Sequence, residues 1–357
     1  MKPKPSILHI EPYKPGRATV QGFEHPLKLS ANENALGCSE RAREAYLSAA
    51  GNLSLYPDPR ANALRAALAE RHKLDPERII FGTGSDELFA MACQAYLQAG
   101  DVIVQPQYAF AAWAIAARAA GGGVVSAPEK QLRVDVDAML AAVDSRTRLA
   151  FIANPANPTG TAISLEELKR LHSGLPENVL LVLDGAYAEF GETGNWFEAF
   201  GEAPNVFITR TFSKLYGLAS LRLGWGYAPR AVASVLNQIR LPFNAAGPAQ
   251  AAALAALEDE AFVQRSVAFA VAGRSRLAEE LEALGLSPLP PSANFVTVHF
   301  PKDAPVSAIE ACEGLANEGI LVRGLAPYGM QDALRITVGH PRDLDRLVAN
   351  LRRQLRR

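Results

Sequence analysis

The chain has 357 residues, 49% of them hydrophobic, so it can bury a large core, and its length alone suggests about two domains. Thirty-six Lys and Arg against 37 Asp and Glu leave a net charge of -1, which argues against a dedicated nucleic-acid or membrane-surface binder but not against a local anion site. Three widely separated cysteines (Cys38, Cys93 and Cys312) with no C-x-x-C pair, and six scattered histidines, argue against a disulfide framework and give no metal-ligand spacing.

The first segment, "MKPKPSILHIEPYKPGR", lacks the continuous apolar core of a secretory signal. The longest apolar run, "YAFAAWAIAARAAGGGVV", is broken by Arg118 and three glycines and is too short to span a bilayer. A cytoplasmic protein without a metal is expected. Along the chain, "ANALRAALAERHKL" has helical periodicity, "RIIFGTG" is a short strand running into glycines, and "SDELFAMACQAYLQAG" is a helix with Ser85 as its cap and acids in its first turn. "DVIVQP" is a strand ending at a proline. "LAFIANP" and "NVLLVLDGAY" have the length of buried strands, with the helix "SLEELKRLHSGL" between them, and "NVFITRTFS" is another strand. Strand and helix in alternation predict an α/β fold with a mostly parallel sheet covered by helices.

After Pro242 the pattern changes. "AGPAQAAALAALEDEAFVQRSVAFAVAGRSRLAEELEALG" reads as a long helical stretch. The short strands "NFVTVHF", "GILVRGL" and "ALRITVG" follow, and the helix "DLDRLVANLRRQLRR" comes last. The expected organisation is a large domain over residues 30–240 and a smaller α+β domain formed by residues 1–29 and 241–357.

Open α/β sheets bind ligands at the carboxyl ends of their strands, and several polar residues fall there. In "FGTGSDE", Gly82 and Gly84 allow close backbone approach, and the helix that starts at Ser85 offers amides to a phosphate; a plain capped turn would look the same. Glu87 stands where a dinucleotide fingerprint needs a third glycine. "NPANPTG" leaves Asn154 and Asn157 as the polar groups after a strand, either as a rigid loop or as ligand contacts. Asp184 ends an apolar strand, where an acid is costly without a partner, and Tyr187 follows in the same turn. In "TFSKLYGLASLRLGWGYAP", Lys214 lies past a strand end, beside Ser213 and before a glycine-rich stretch. A desolvated lysine there becomes a nucleophilic amine. Arg222 adds a fixed cation able to grip a phosphate. An amine, a buried acid, an asparagine, a tyrosine and a phosphate cup together are what pyridoxal 5'-phosphate requires.

With "LSANENALG", "YPDP", "QYAF", "ANFVTV" and "LRITVG", these segments stand in the order found in the fold-type-I pyridoxal-phosphate aminotransferases, which the chain resembles from about residue 28 to about residue 340. Among them it is most similar to the histidinol-phosphate aminotransferases. The resemblance implies the aspartate aminotransferase-like fold and a homodimer with shared sites. It also implies transfer of an amino group between L-histidinol phosphate and 2-oxoglutarate or glutamate, in histidine biosynthesis. An aromatic amino acid aminotransferase and a phosphoamino-acid decarboxylase on the same scaffold remain alternatives.

In that family pattern Lys214 would condense with the cofactor aldehyde and carry the substrate proton, and Asp184 would pair with the ring nitrogen. Asn157 and Tyr187 would bond the phenolic oxygen, and Tyr108 would stack on the ring. Gly84, Ser85, Asp86 (through its backbone), Ser213 and Arg222 would hold the phosphate, joined by Tyr56 of the neighbouring subunit. Arg335 would take the substrate carboxylate, or with Arg323 the substrate phosphate, and Asn32 and Tyr13 are substrate contacts from the N-terminal arm. Ala35 and Thr83 depart from the pattern, which usually has proline and asparagine there.

Overall fold

Seven strands form the main sheet of the computed structural model, which describes residues 1–356. Their spatial order is Ile79–Gly82, Gly224–Tyr227, Val206–Thr211, Leu180–Asp184, Thr147–Ala153, Val102–Pro106 and Gly123–Ala127. The last five are mutually parallel, and Gly224–Tyr227 is antiparallel to both of its neighbours, so it alone opposes the common direction.

Alternation explains why these runs are apolar throughout. Leu149 and Phe151 pack into the cluster on one face with Phe89, Trp113 and Phe207, while Ala150 and Ile152 pack on the other with Leu181, Leu183 and Ile208. With both faces covered by helices, no position on the central strands can be polar without a partner. The polar residues are therefore confined to the strand ends.

A second, antiparallel sheet runs in the order Arg323–Gly324, Ala333–Thr337, Phe295–His299 and Ser287–Pro288. Its core joins Val296, Val298, Leu334 and Ile336 to Leu281 and Leu347 from the helices Glu260–Glu282 and Pro341–Leu355. The segment Leu27–Lys28 pairs in parallel with Ile320–Leu321.

Several sequence expectations need correction. The long helical stretch after residue 245 consists of two helices, Gly247–Glu258 and Glu260–Glu282, divided at Asp259, whose side chain caps the second by accepting from the Phe262 N–H at 3.1 Å. Ser85 is not the helix cap. Gly84, at φ +76°, holds that position, and Ser85 opens the helix Ser85–Tyr96. The strands Gly123–Ala127 and Gly224–Tyr227 lay hidden in glycine-rich sequence, where local propensity is weak and pairing with neighbours decides the outcome. Among the described residues no helix is long and apolar enough to cross a membrane.

The turn carrying Lys214 is held against the N-terminal segment. Gly217 has φ +68°, and a Cβ there would overlap the Gly37 carbonyl. Gly217→Ala should therefore destabilise the chain by about 1–3 kcal/mol through backbone strain and displacement. Chemical denaturation would read this as a lower midpoint; an unchanged midpoint would contradict the close packing.

Candidate active site

A cleft of about 590 Å³ opens at the carboxyl ends of the parallel strands. Its floor comes from the main sheet through Asn157, Asp184, Tyr187, Ser213 and Lys214, and one end is formed by Ser85, Asp86 and Arg222. The second sheet and the N-terminal segment close the other side with Arg323, Arg335, Asn32 and Tyr13. Residues more than 300 apart in sequence thus meet in one space.

Asp184 is only 5% exposed. Its carboxylate accepts the Ala186 N–H at 3.0 Å and contacts no cationic side chain among the described residues. Desolvation pushes its pKa up to about 7; Asp86 adds to the rise, while Arg210 and Lys214 pull the other way. Lys214 shows the opposite shift. Burial, reinforced by the charges of Arg335 and Arg222, brings its pKa down to about 8. Its Nζ donates to the Ala31 carbonyl at 3.1 Å and lies 5.7 Å from the centre of the Tyr187 ring. Near neutrality about a tenth of this amine is unprotonated, far more than for an ordinary lysine.

Around them runs a chain of polar contacts. Asn32, in the left-handed region at φ 56°, donates from Nδ2 to the Tyr187 hydroxyl at 2.9 Å. Arg335 donates to Asn157 Oδ1 at 2.5 Å and to the Ser30 carbonyl at 2.9 Å, while its buried Nε has no partner. Arg323 donates to the Lys14 carbonyl at 2.6 Å and faces Arg335 directly across the antiparallel pair. Like charges in that register repel, so two buried guanidinium groups side by side make a site that an anion stabilises.

At the opposite end, Arg222 donates to Ser213 Oγ at 3.2 Å and to Asp86 Oδ2 at 3.2 Å. A Cβ on Gly84 would stand 2.5 Å from Arg222 Nη2, so only glycine leaves this cradle open. The first amides of the helix Ser85–Tyr96 complete a set of donors suited to a phosphate. Asp86 was expected to act through its backbone, yet its side chain also enters the cleft and engages the guanidinium. Glu87, where a third glycine was missing, reaches back to the Thr83 N–H at 2.5 Å, and the Thr83 hydroxyl donates to the Asn244 carbonyl at 3.1 Å. Thr83, which departs from the family pattern, thus helps to brace this loop.

Three of the residues singled out in the sequence do not line the cleft of this chain. Asn154 is a structural clip, exchanging two 2.9 Å hydrogen bonds with the Ile163 backbone. Tyr108 is not among the cleft-lining residues; its N–H donates to Glu129 at 3.1 Å and its side chain packs with Leu325 and Met330. Phe110, from the same "QYAF" segment, lines the cleft instead, with Tyr13 edge-on to it at 6.3 Å between ring centres. Tyr56 is 83% exposed, stacked on Phe243 at 4.5 Å, and does not line the cleft of its own chain.

The family model for class I and II aminotransferases matches residues 24–351. Histidinol-phosphate aminotransferase 1 of Caulobacter vibrioides is 52% identical over 340 residues, covering 94% of this chain and 95% of the relative. The histidinol-phosphate aminotransferase of Maricaulis maris is 46% identical over 351 residues, covering 98% and 97%. Among solved structures, histidinol-phosphate aminotransferase from Sinorhizobium meliloti in complex with pyridoxal-5'-phosphate superposes with a TM-score of 0.87 at 31% identity, covering 94% of this chain and 92% of that one. Aspartate aminotransferase from Thermus thermophilus with maleate gives 0.80 at 26% identity, covering 93% and 92%.

The raised Asp184 pKa has a direct consequence for stability. Without ligand, the folded carboxyl stays protonated up to about 7, whereas in the unfolded chain it ionises near 3.8. Between those values the unfolded state binds fewer protons, so stability should fall as pH rises through that window. Thermal melts of Asp184→Asn should show a flatter profile there; an identical slope would mean that Asp184 titrates normally.

Proposed function

We propose, given that the chain belongs to the class I and II aminotransferase family, that it moves an amino group between L-histidinol phosphate and 2-oxoglutarate or glutamate with pyridoxal 5'-phosphate bound in the cleft. The observation that carries this reading is the pairing of opposite anomalies in one space. A buried carboxylate contacts no cation, and a buried amine has lost much of its proton affinity.

The residues present fit the cofactor. Asp184 lacks the cationic partner that a protonated ring nitrogen supplies, and the space beside Gly84, Ser85, Ser213 and Arg222 suits its phosphate. Asn157 and Tyr187 would hold its phenolic oxygen, and Lys214 would bond its aldehyde carbon. When bound, the cofactor is an electron sink for the pair left behind as a proton leaves the substrate's α-carbon.

The chain's own residues do the rest. Lys214 Nζ, already desolvated, would carry the proton between the substrate's α-carbon and the cofactor. Asp184 would hold the ring-nitrogen proton and Arg222 would neutralise phosphate charge, while Asn32 orients the Tyr187 hydroxyl. Arg335, with its unpaired Nε, would grip the α-carboxylate of glutamate or 2-oxoglutarate, and with Arg323 the phosphate of histidinol phosphate. Tyr13 and Asn32 would close over the substrate from the N-terminal side.

Purified enzyme loaded with cofactor and mixed separately with histidinol phosphate, phenylalanine and glutamate reports the choice of donor through the absorbance change of the half-reaction. Histidinol phosphate and glutamate should react faster than phenylalanine. A fast response to phenylalanine with none to histidinol phosphate would overturn the substrate assignment.

A homodimer completes this reading. Tyr56 is exposed beside Leu53, Leu55 and Leu241, each at least two-thirds exposed, and such an apolar surface supports an interface with a second copy. Tyr56 would then reach the neighbouring subunit's cofactor phosphate. The division of the chain near residue 240 into two domains, and a cytoplasmic setting suited to three free cysteines, belong to the same proposal. Mixing Lys214→Ala chains with Tyr56→Ala chains should restore one complete site per mixed dimer. If the mixture stays no more active than the Tyr56→Ala enzyme alone, the sites are not shared.

A further inference from the structure

Arg210 lies on the strand Val206–Thr211, immediately after Thr209, which pairs in register with Asp184. Its side chain is buried, does not line the cleft, and lies against the Asp184 turn. A Cβ on Gly185 would overlap its Nη1. The rings of Trp196 and Phe197 cover the guanidinium, with Cζ 4.5 and 5.2 Å from their centres.

This cation is poorly compensated. A guanidinium carries five N–H donors, yet here one long bond goes to the Thr209 carbonyl at 3.4 Å, and the carboxylate within ion-pair range is Glu189, 3.7 Å from Nε. The guanidinium thus lies mainly against aromatic rings, with one long hydrogen bond and one distant carboxylate, and in a low-dielectric interior its residual charge reaches its neighbours. His72 lies in the same field. It packs against Trp225 and Phe197, and it is held down to about 4, first by burial and then by Arg210.

Asp184 is a second neighbour of the same charge. From the cleft it is faced by Asp86, Lys214 and Tyr187, and from outside the cleft by Arg210; around Arg210 stand Glu189, Tyr216 and His72. Asp86 opposes ionisation of Asp184. Lys214 favours it only while protonated, and it gives up that charge when it bonds an aldehyde. Arg210 keeps its charge throughout.

We propose that Arg210 is a positioning residue for the cofactor: its buried charge, set against the Asp184 turn, favours the anionic form of Asp184 against desolvation and Asp86, so that the carboxylate can meet a protonated ring nitrogen as an anion. This rests on the cofactor reading above. The alternative is that Arg210 merely packs under the turn and balances Glu189.

Two ligands separate these roles. Pyridoxal phosphate has the ring nitrogen, and its 1-deaza analogue has carbon there and nothing for Asp184 to hold. Dissociation constants for both would be measured at constant pH by equilibrium dialysis. The wild-type chain should prefer pyridoxal phosphate. Arg210→Met should lose that preference by up to about tenfold for each pKa unit that Asp184 rises, with binding of the analogue unchanged, and Arg210→Lys should restore most of it. Glu189→Gln removes the opposing charge and should leave the preference intact or raise it.

Equal loss for both ligands in Arg210→Met, or a fall in preference with Glu189→Gln, would overturn the proposal in favour of simple packing. Should Arg210→Met fail to fold, the pair Arg210→Met with Glu189→Gln removes both charges and is read by the same ratio. If the wild-type chain binds neither ligand, the cofactor reading itself fails, which is a different result from a lost ratio.

Discussion

Asp184 and Lys214 share one cleft without forming an ion pair, and the site depends on that separation. Had they paired, the carboxyl would titrate below its ordinary value and the amine above it. The reverse holds, with Asp184 pushed up to about 7 and Lys214 down to about 8. Desolvation outweighs their mutual attraction, so each stays free for an outside partner. Isolated buried charges are costly, and a ligand that brings a cation to one and an electrophilic carbon to the other relieves both.

The sheet makes such an arrangement possible. Its central strands are buried on both faces, so the interior of Leu180–Asp184 or Thr147–Ala153 has no room for polarity. At the carboxyl end the helices diverge and the backbone turns, and there Asp184, Asn157 and Lys214 can face a common space. The smaller antiparallel sheet adds what the parallel one lacks. Its register sets Arg323 opposite Arg335, and the N-terminal segment, tied to it through Leu27–Lys28, delivers Asn32 to Tyr187. Positive charge gathers at both ends of the cleft, Arg222 at one and the arginine pair at the other, as a phosphorylated cofactor and an anionic substrate require.

Much of this was legible in the sequence because the decisive residues interrupt strong patterns. Asp184 ends an apolar run, and Lys214 and Arg222 stand among leucines and glycines. Each breach of local preference is costly for the same physical reason that makes it functional. Where the pattern was weak, reading failed. The strand Gly224–Tyr227 looks like loop because its glycines carry no strand signal, and it exists because two neighbours pair with it. Asn154 and Asn157 are equivalent in sequence and differ only in which way the loop turns them. The side chain of Asp86 enters the cleft and that of Tyr108 packs against Leu325 and Met330, distinctions set by packing across elements that no local motif encodes.

What the sequence determined by itself was chemistry: an amine, an acid, a phosphate cup and the alternation of strand and helix that gathers them at strand ends. These are local properties of composition and spacing, and they survive without knowing the neighbours. Only the tertiary structure decided which groups touch, which buried charges lack partners, and how far each proton affinity moves. Those quantities come from desolvation and from contacts between residues such as Asn32 and Thr337, or Asn157 and Arg335, that are distant along the chain and adjacent only after folding.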